Sequence, residues 1–345
     1  MDMDPGNSAL SPTVSVCIAN YNGIGLIDAC LRSVRAQDFH LPIEIIVHDD
    51  ASLDNSVEHI RNHYPSVRLI ESPKNVGFCI ANNRMASIAR GEFLLLLNND
   101  ATLFPNAAST LFAEASGLLH EGILTLPQYD AETRALIDRG CMLDPFFNPI
   151  PNLDINTRDV AMVIGACLWI PKNLWQELGG FPEWYESIGE DLHLCCQARL
   201  AAHPVRVCTQ SGYHHLVGRS FGGGRVDRGR LSTASDRRRL SERNKTYAML
   251  VMQPALLLIL LFPIHLLLIH FEGLLLSLLK KDFRHWRKIY APLIPALWSH
   301  RKILISERRR VQAHKNISLT SWLGTFRWIP WKLRMISRYG IPEIR

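Results

Sequence analysis

The segment "EFLLLLNND" (92–100) runs four consecutive leucines straight into Asn98, Asn99 and Asp100. A strand apolar on both faces belongs inside a sheet covered on both sides, so its polar end must emerge at an edge of that sheet. The same grammar recurs upstream. "TVSVCIANYNG" (13–23) alternates β-branched residues up to Asn20-Tyr21-Asn22, and "IEIIVHDDAS" (43–52) ends in Asp49-Asp50. Between the strands, "LIDACLRSVRAQ" (26–37), "NSVEHIRNHY" (55–64) and "CIANNRMASIAR" (79–90) space their apolar residues for helices, and "VRLIES" (67–72) is a further strand. Strand, loop and helix alternating in this way predict a mostly parallel sheet with helices on both faces, and in such sheets ligands bind outside the carboxyl ends of the strands. Here those ends are polar together. Neither G-x-G-x-x-G nor a P-loop is present to account for that edge.

Farther along, the proline-rich, weakly periodic stretch 123–162 reads as a lid or acceptor-side loop. "VIGACLWIP" (163–171) is a strand, "KNLWQELGG" (172–180) a helix closed by glycines, and "GEDLHLCCQARLAA" (189–202) a helix with acids in its first turn. "VRVCTQSGYHHL" (205–216) reads as a last strand and its exit, followed by a Gly/Arg loop.

Charge divides the 345 residues in two. Residues 1–218 hold 13 of the 38 basic and 25 of the 32 acidic side chains, a net −12, whereas 219–345 carry +18. A basic tail serves nucleic acid or an anionic membrane, and the apolar run "QPALLLILLFPIHLLLIHFEGLLLSLL" (253–279) decides for the membrane, because nucleic-acid binders have no use for it. Basic clusters flank both ends of the run and Pro263 interrupts it. A Pro-broken hairpin or an interfacial helix pair keeps both flanks at the anionic face, so it is expected over a single span. "MDMDPGNSAL" is acidic and poor in apolar residues, which does not suit a signal peptide, and the main domain is expected to face the cytoplasm. The eight cysteines lie at or before Cys208 without metal-site spacing and read as reduced, structural thiols.

Three signals carry chemistry. Asp100 is a carboxylate fixed at a strand end, suited to a hard divalent cation shared with phosphates, although a helix N-cap or turn acid is the commoner role of a lone Asp after a strand. Glu190-Asp191 opens a helix, where a carboxylate can act as general base or simply complement the helix dipole. His214-His215 leaves a strand beside the basic loop, where an imidazole can complete a metal site. Each is weak alone; together they are not.

In order and spacing, these segments bring the chain from about 13 to 224 close to a known family. It resembles the family 2 glycosyltransferases of the GT-A fold, in particular the rhamnosyltransferase-like branch of bacterial surface-polysaccharide synthesis. "VHDDASLDNS" is similar to the family's V-D-N-x-S-x-D-x-S segment and "NVGFCIANN....IARGEFLLLLNND" to its N-x-G-F...N-N...A-x-G-E...L-N-x-D run. "IGACLWIPKNLWQELGGF", "GEDLHLCCQARL" and "HHLVGRSFG" resemble the acceptor-side strand and helix, the E-D-x-D-L-C-x-R helix and the His-containing loop. The resemblance implies a GT-A domain over 13–228 after a flexible tail (1–12). A basic linker or helix (229–250), a hydrophobic membrane-associated segment (251–280) and a basic amphipathic region (281–345) then follow.

It implies further that Asp191, with Glu190, is the catalytic base, and that Asn20, Tyr21, Asp49, Asn75, Gly77 and Asn99 serve the nucleotide, Asp49 at the nucleobase. Asp100 and His215 would hold Mg²⁺ or Mn²⁺, with His214 and Arg219 at the diphosphate. The first acid of the family's D-x-D is Asn98 here, and His193 replaces the second acid of E-D-x-D. The implied activity is inverting transfer of a sugar, first of all rhamnose from dTDP-rhamnose, to a hydroxyl of a lipid-linked or growing saccharide at the cytoplasmic membrane face. A UDP-hexose or UDP-N-acetylhexosamine donor is the alternative. A nucleotidyltransferase and a non-catalytic, membrane-tethered nucleotide-sugar binder are the other readings; the first lacks a basic residue in "VSVCIANYNGIG", and Asp49, Asp100 and Asp191 occurring together argue against the second.

Overall fold

The structure, a computed structural model, describes residues 11–216, 223–227 and 230–344. Most of the expected N-terminal tail, and Arg219 in the Gly/Arg loop, lie outside the described residues. The chain opens with β1 (Val14–Asn20), α1 (Ile27–Arg35), β2 (Ile43–Asp49), α2 (Ser56–His63), β3 (Arg68–Glu71), α3 (Phe78–Ile88) and β4 (Phe93–Asn98). β1 pairs in parallel with β2, Asn20 opposite Asp49, and with β4, Ala19 opposite Asn98, so the polar ends share one edge. Successive side chains along a strand point to opposite faces. Leu94 and Leu96 therefore join one core, Leu95 and Leu97 the other. α1 lays Ile27, Cys30, Leu31 and Val34 on the second face, the stripe expected of an amphipathic helix.

β5 (Ala101–Leu103), α4 (Ala107–Ser116), β6 (Ile123–Thr125), β7 (Gln128–Asp130), β8 (Leu136–Asp138), β9 (Cys141–Leu143), β10 (Pro149–Pro151), β11 (Cys167–Pro171), α5 (Lys172–Leu178), α6 (Glu190–Leu200), β12 (Val205–Val207) and β13 (Tyr213–His215) follow. The main sheet has the order β12-β6-β11-β4-β1-β2-β3, parallel except for β11, in agreement with the mostly parallel α/β architecture.

Two expectations are corrected here. Residues 123–162 are not a lid: β6 lies inside the main sheet, β7 and β8 join β5 and β13 in a second sheet, and Met142, Leu143, Phe147 and Val160 are buried in the core. Strands of three residues are too short to display a period, and two of the prolines of this stretch, Pro149 and Pro151, sit in β10, a strand paired on one side only. Residues 205–216 are likewise not one strand but two, β12 in the main sheet and β13 in the second.

Beyond β14 (Gly223–Asp227) and β15 (Arg230–Thr233), α7 (Ser235–Met252) and α8 (Ala255–Leu279) lead into α9 (Leu293–Ser299), α10 (Arg301–Ala313), α11 (Leu319–Leu323), α12 (Trp331–Tyr339) and β16 (Glu343–Ile344). Of the stretch 229–250, expected as a basic linker or helix, most is helix α7, which is buried from Glu242 to Met249 and pairs Lys245 with Glu242 and Arg243 with Glu186. Tyr247, Leu304, Val311 and Trp322 belong to the same core as Leu94 and Leu96, so one core runs across the expected boundary at 228.

The Pro-broken hairpin is also absent. α8 passes Pro263 as one helix of 25 residues. A helix-interior proline costs about 3 kcal/mol, yet a helix remains the only local way for an apolar segment to satisfy its own backbone away from water. One stripe of α8, His265, Ile269, Gly273 and Leu276, is buried, and Tyr290 packs so tightly on Gly273 that a Cβ there would lie 2.5 Å from the ring. The remaining surface is apolar and exposed, Ile259, Leu267 and Phe271 among others, so α8 has the length and composition to cross a membrane with only 11% of its most apolar window buried.

Candidate functional site

A cleft of about 1000 Å³ opens at the carboxyl ends of β1, β2 and β4 and continues past α6 to α7 and α12. Its first wall is a polar lattice. The Asn20 amide donates to Asp49 Oδ2 at 2.8 Å and to Ser56 Oγ at 3.0 Å, and Asn99 Nδ2 donates to Asn20 Oδ1 at 2.9 Å. Ser52 donates to Asp49 through its amide at 2.9 Å and its hydroxyl at 2.7 Å. Asp49 is thus buried beneath the wall with both oxygens engaged. Its neighbour Asp50 lines the cleft and accepts the amides of Val76 at 2.7 Å and Gly77 at 2.9 Å. Two adjacent acids at a strand end point to opposite sides, and nothing in the sequence says which one faces the ligand. Tyr21, half-exposed, and Asn75, Gly77 and Asn99 also line the cleft. Gly77 has φ +89°, and a Cβ there would press to 3.2 Å from the Glu186 carbonyl, so the turn needs glycine.

Deeper in, β13 pairs with β5 and brings His215 opposite Ala101. His215 Nε2 lies 3.0 Å from Asp100 Oδ1, with both side chains buried, and 3.5 Å from Asn98 Nδ2. His214, on the other face of β13, instead packs its ring 4.9 Å from Phe104 and 6.2 Å from Tyr129. The structure therefore brings His215, and not His214, to the site. A divalent cation takes carboxylate oxygen and imidazole nitrogen, and needs few protein ligands when phosphates supply the rest. Asp100 Oδ1 and His215 Nε2 fit such a shared site, while no group of three or more His, Cys, Asp or Glu side chains is placed for a metal among the described residues. Asp138 on β8, which no sequence motif marks, lines the same cleft, and burial pushes its carboxyl up to about 7 against the Gly140 amide and His215.

Opposite stands the start of α6. Asp191 accepts the Gly165 amide at 3.0 Å on Oδ2 and the Leu192 amide at 2.7 Å on Oδ1, which fixes the carboxylate at the cleft wall. Burial raises its pKa, and the two amides oppose that rise. Glu190 is more deeply buried, and burial, then the charge of Asp191, pushes its pKa up to about 8. Glu186 and Ile188, just before α6, have φ of +67° and +69°, which non-glycine residues adopt only when held. The holder is α7. Asn244 Nδ2 faces the carbonyls of Tyr185, Ser187 and Ile188 at 2.9, 2.9 and 2.7 Å, and Arg243 pairs with Glu186 at 2.7 Å. Arg237, in the first turn of α7, lines the cleft within electrostatic reach of Glu190 and Asp191. His193 does not line the cleft: it is buried between the Tyr185 hydroxyl at 3.1 Å and Glu307 of α10 at 3.3 Å.

Comparison with known proteins agrees with this geometry. Residues 15–141 match the family described as Glycosyl transferase family 2. The chain is 26% identical over 183 residues to N-acetylglucosaminyl-diphospho-decaprenol L-rhamnosyltransferase of Mycobacterium tuberculosis, covering 44% of this chain and 60% of that protein. It is 33% identical to an uncharacterized glycosyltransferase of Escherichia coli, YibD, over 30% of each chain. The chain spans about a third of the length of the first curated relatives it matches, 31% and 30%. Among solved structures, S. aureus TarS superposes with a TM-score of 0.54 at 17% identity, over 87% of this chain and 55% of that one. GalNAc-T7 with UDP, GalNAc and Mn²⁺ superposes at 0.55 and 16%, over 70% and 48%. Family match and fold agree: residues 15–141 are similar to family 2 glycosyltransferases, and the chain has the GT-A fold.

Proposed function

We propose that the protein transfers a sugar, with inversion, from a nucleotide-diphosphate donor to a hydroxyl of a lipid-linked or growing saccharide. The observation that carries this reading is Asp191, held by two backbone amides at the wall of the cleft that the polar strand ends open into. Its raised pKa suits a carboxylate that must accept a proton. The acceptor hydroxyl gives its proton to Asp191 while its oxygen forms a bond to the anomeric carbon from the side opposite the diphosphate. The carbon–oxygen bond to the diphosphate breaks, its electron pair leaves with the nucleotide, and one displacement inverts the centre.

Tyr21 offers a flat face for a base, and the Asn20–Asn99 lattice and the Asp50-braced turn at Asn75 and Gly77 surround the nucleotide. Arg237 places a cation near the leaving diphosphate. Asp100 and His215 would hold a divalent ion, which neutralises charge on the diphosphate when bound; the Mn²⁺ of the GalNAc-T7 structure supports this choice. The rhamnosyltransferase relative supports dTDP-rhamnose as first donor to test, with UDP-hexoses and UDP-N-acetylhexosamines as the alternative. The same relative's decaprenol-linked substrate, together with the basic C-terminal third and the exposed apolar face of α8, supports action at the cytoplasmic face of a membrane.

The test is a thermal-shift screen with dTDP, UDP and GDP, each with and without Mn²⁺. One nucleotide should raise the melting temperature clearly and more so with the metal. No shift with any of the three overturns the reading.

A further inference from the structure

The cleft does not end at Asp191. Past the start of α6 its wall is made by α7, by Glu272 of α8 and by one face of α12: Trp331, Lys332, Met335 and Ile336. An ion network ties these helices together. Lys332 bridges Glu242 at 2.7 Å and Glu272 at 2.6 Å, Lys245 pairs with Glu242 at 2.6 Å, and Arg238 pairs with Glu272. Three cations, Arg238, Lys245 and Lys332, line this limb against two carboxylates, Glu242 and Glu272, which leaves a surplus of one positive charge. The wall beside it is apolar, and Ile336 is exposed. Glu272 faces the limb while its neighbour Phe271 is 63% exposed on the outer, apolar side of α8. The limb therefore comes within one helical turn of the surface that suits lipid.

A wall that pairs surplus positive charge with apolar side chains and adjoins a lipid-facing helix matches one ligand chemistry, a diphosphate esterified to a hydrocarbon chain. We propose that this limb receives the prenyl-diphosphate end of the acceptor, the diphosphate against the cationic surplus and the first prenyl units against Trp331, Met335 and Ile336. The inference rests on the transferase reading and adds where the acceptor's lipid end sits. Because the cations and Asp191 line one cleft, the reacting hydroxyl lies on a sugar close to the diphosphate. The reaction that supplies this substrate is then one that attaches a first sugar phosphate to a prenyl phosphate.

Binding of farnesyl diphosphate, inorganic diphosphate and farnesol to the full-length protein, followed by tryptophan fluorescence with Trp331→Phe as control, tests this. Farnesyl diphosphate should bind about tenfold or more tighter than either half alone, since the apolar contact adds to the ionic one. It should not displace the bound nucleotide. Met335→Glu/Ile336→Glu, and independently Met335→Trp, which fills the limb without adding charge, should remove the preference and leave the nucleotide thermal shift intact. Equal affinity for farnesyl diphosphate and inorganic diphosphate, displacement of the nucleotide, or a preference that survives in both variants overturns the proposal. Failure of donor binding itself is read separately, from the nucleotide thermal shift without farnesyl diphosphate.

Discussion

His215 and His214 are adjacent in sequence and do opposite things. His215 meets Asp100 at 3.0 Å, whereas His214 packs on Phe104 and Tyr129. His215→Ala should abolish the Mn²⁺-dependent part of nucleotide stabilisation, and His214→Ala should leave it; thermal shift with and without metal separates them. Glu190 gives a pH signature. Its folded pKa of about 8 lies above the ordinary carboxyl value, so the stability it contributes is complete below the unfolded pKa and is lost as pH rises to about 8. Glu190→Gln should therefore melt higher than wild type by a margin that opens above about pH 4.5 and levels off near pH 8. Melting curves across pH check this, and a pH-independent margin contradicts it. At this scale the sequence marks which residue types matter but not which way they face. Asp49 against Asp50 and His214 against His215 differ by one position on a strand, and only pairing with β1 and β5 decides between them.

Among the elements, β1 to β4 and α1 to α3 are legible because long apolar runs and helical spacing agree with one another. β5 to β10 are not, since three-residue strands carry no period and take their place from partners far along the chain. α7 is misread for a different reason. Arg243, Lys245 and Glu242 look solvated in sequence, but they are buried in ion pairs, and Arg243 clamps the turn before α6 through Glu186. Asn244 is the centre of that clamp. Asn244→Ala leaves the Ser187 and Ile188 carbonyls without this donor, each worth about 1–3 kcal/mol when buried, and frees the strained Glu186 and Ile188. Turnover should fall at least tenfold while the nucleotide thermal shift is kept, because that shift reads the strand ends and not α6. Steady-state kinetics beside the shift assay measures both.

For the whole molecule, the core that joins Leu96 to Tyr247, Val311 and Trp322 makes the C-terminal helices part of the domain, so membrane contact is best tested on the surface and not by truncation. Each exposed apolar residue of α8 that enters lipid gains about 1.5–3 kcal/mol. Leu267→Ser/Phe271→Ser/Leu278→Ser should therefore reduce co-sedimentation with anionic phospholipid vesicles by about a hundredfold or more, with melting temperature unchanged. Binding that survives the triple substitution places the contact elsewhere. On the proposed reading, what would join the strand-end lattice, the α6 turn and the exposed apolar face of α8 is a single chemical event at Asp191. That event is tested most directly by Asp191→Asn, assayed in parallel for donor binding and for sugar transfer to lipid-linked acceptor. The expected result is a nucleotide-sugar thermal shift close to that of the wild type with transfer reduced about a hundred- to ten-thousand-fold. Transfer at wild-type rate, or loss of donor binding with residual transfer, would contradict the role of Asp191 as the base.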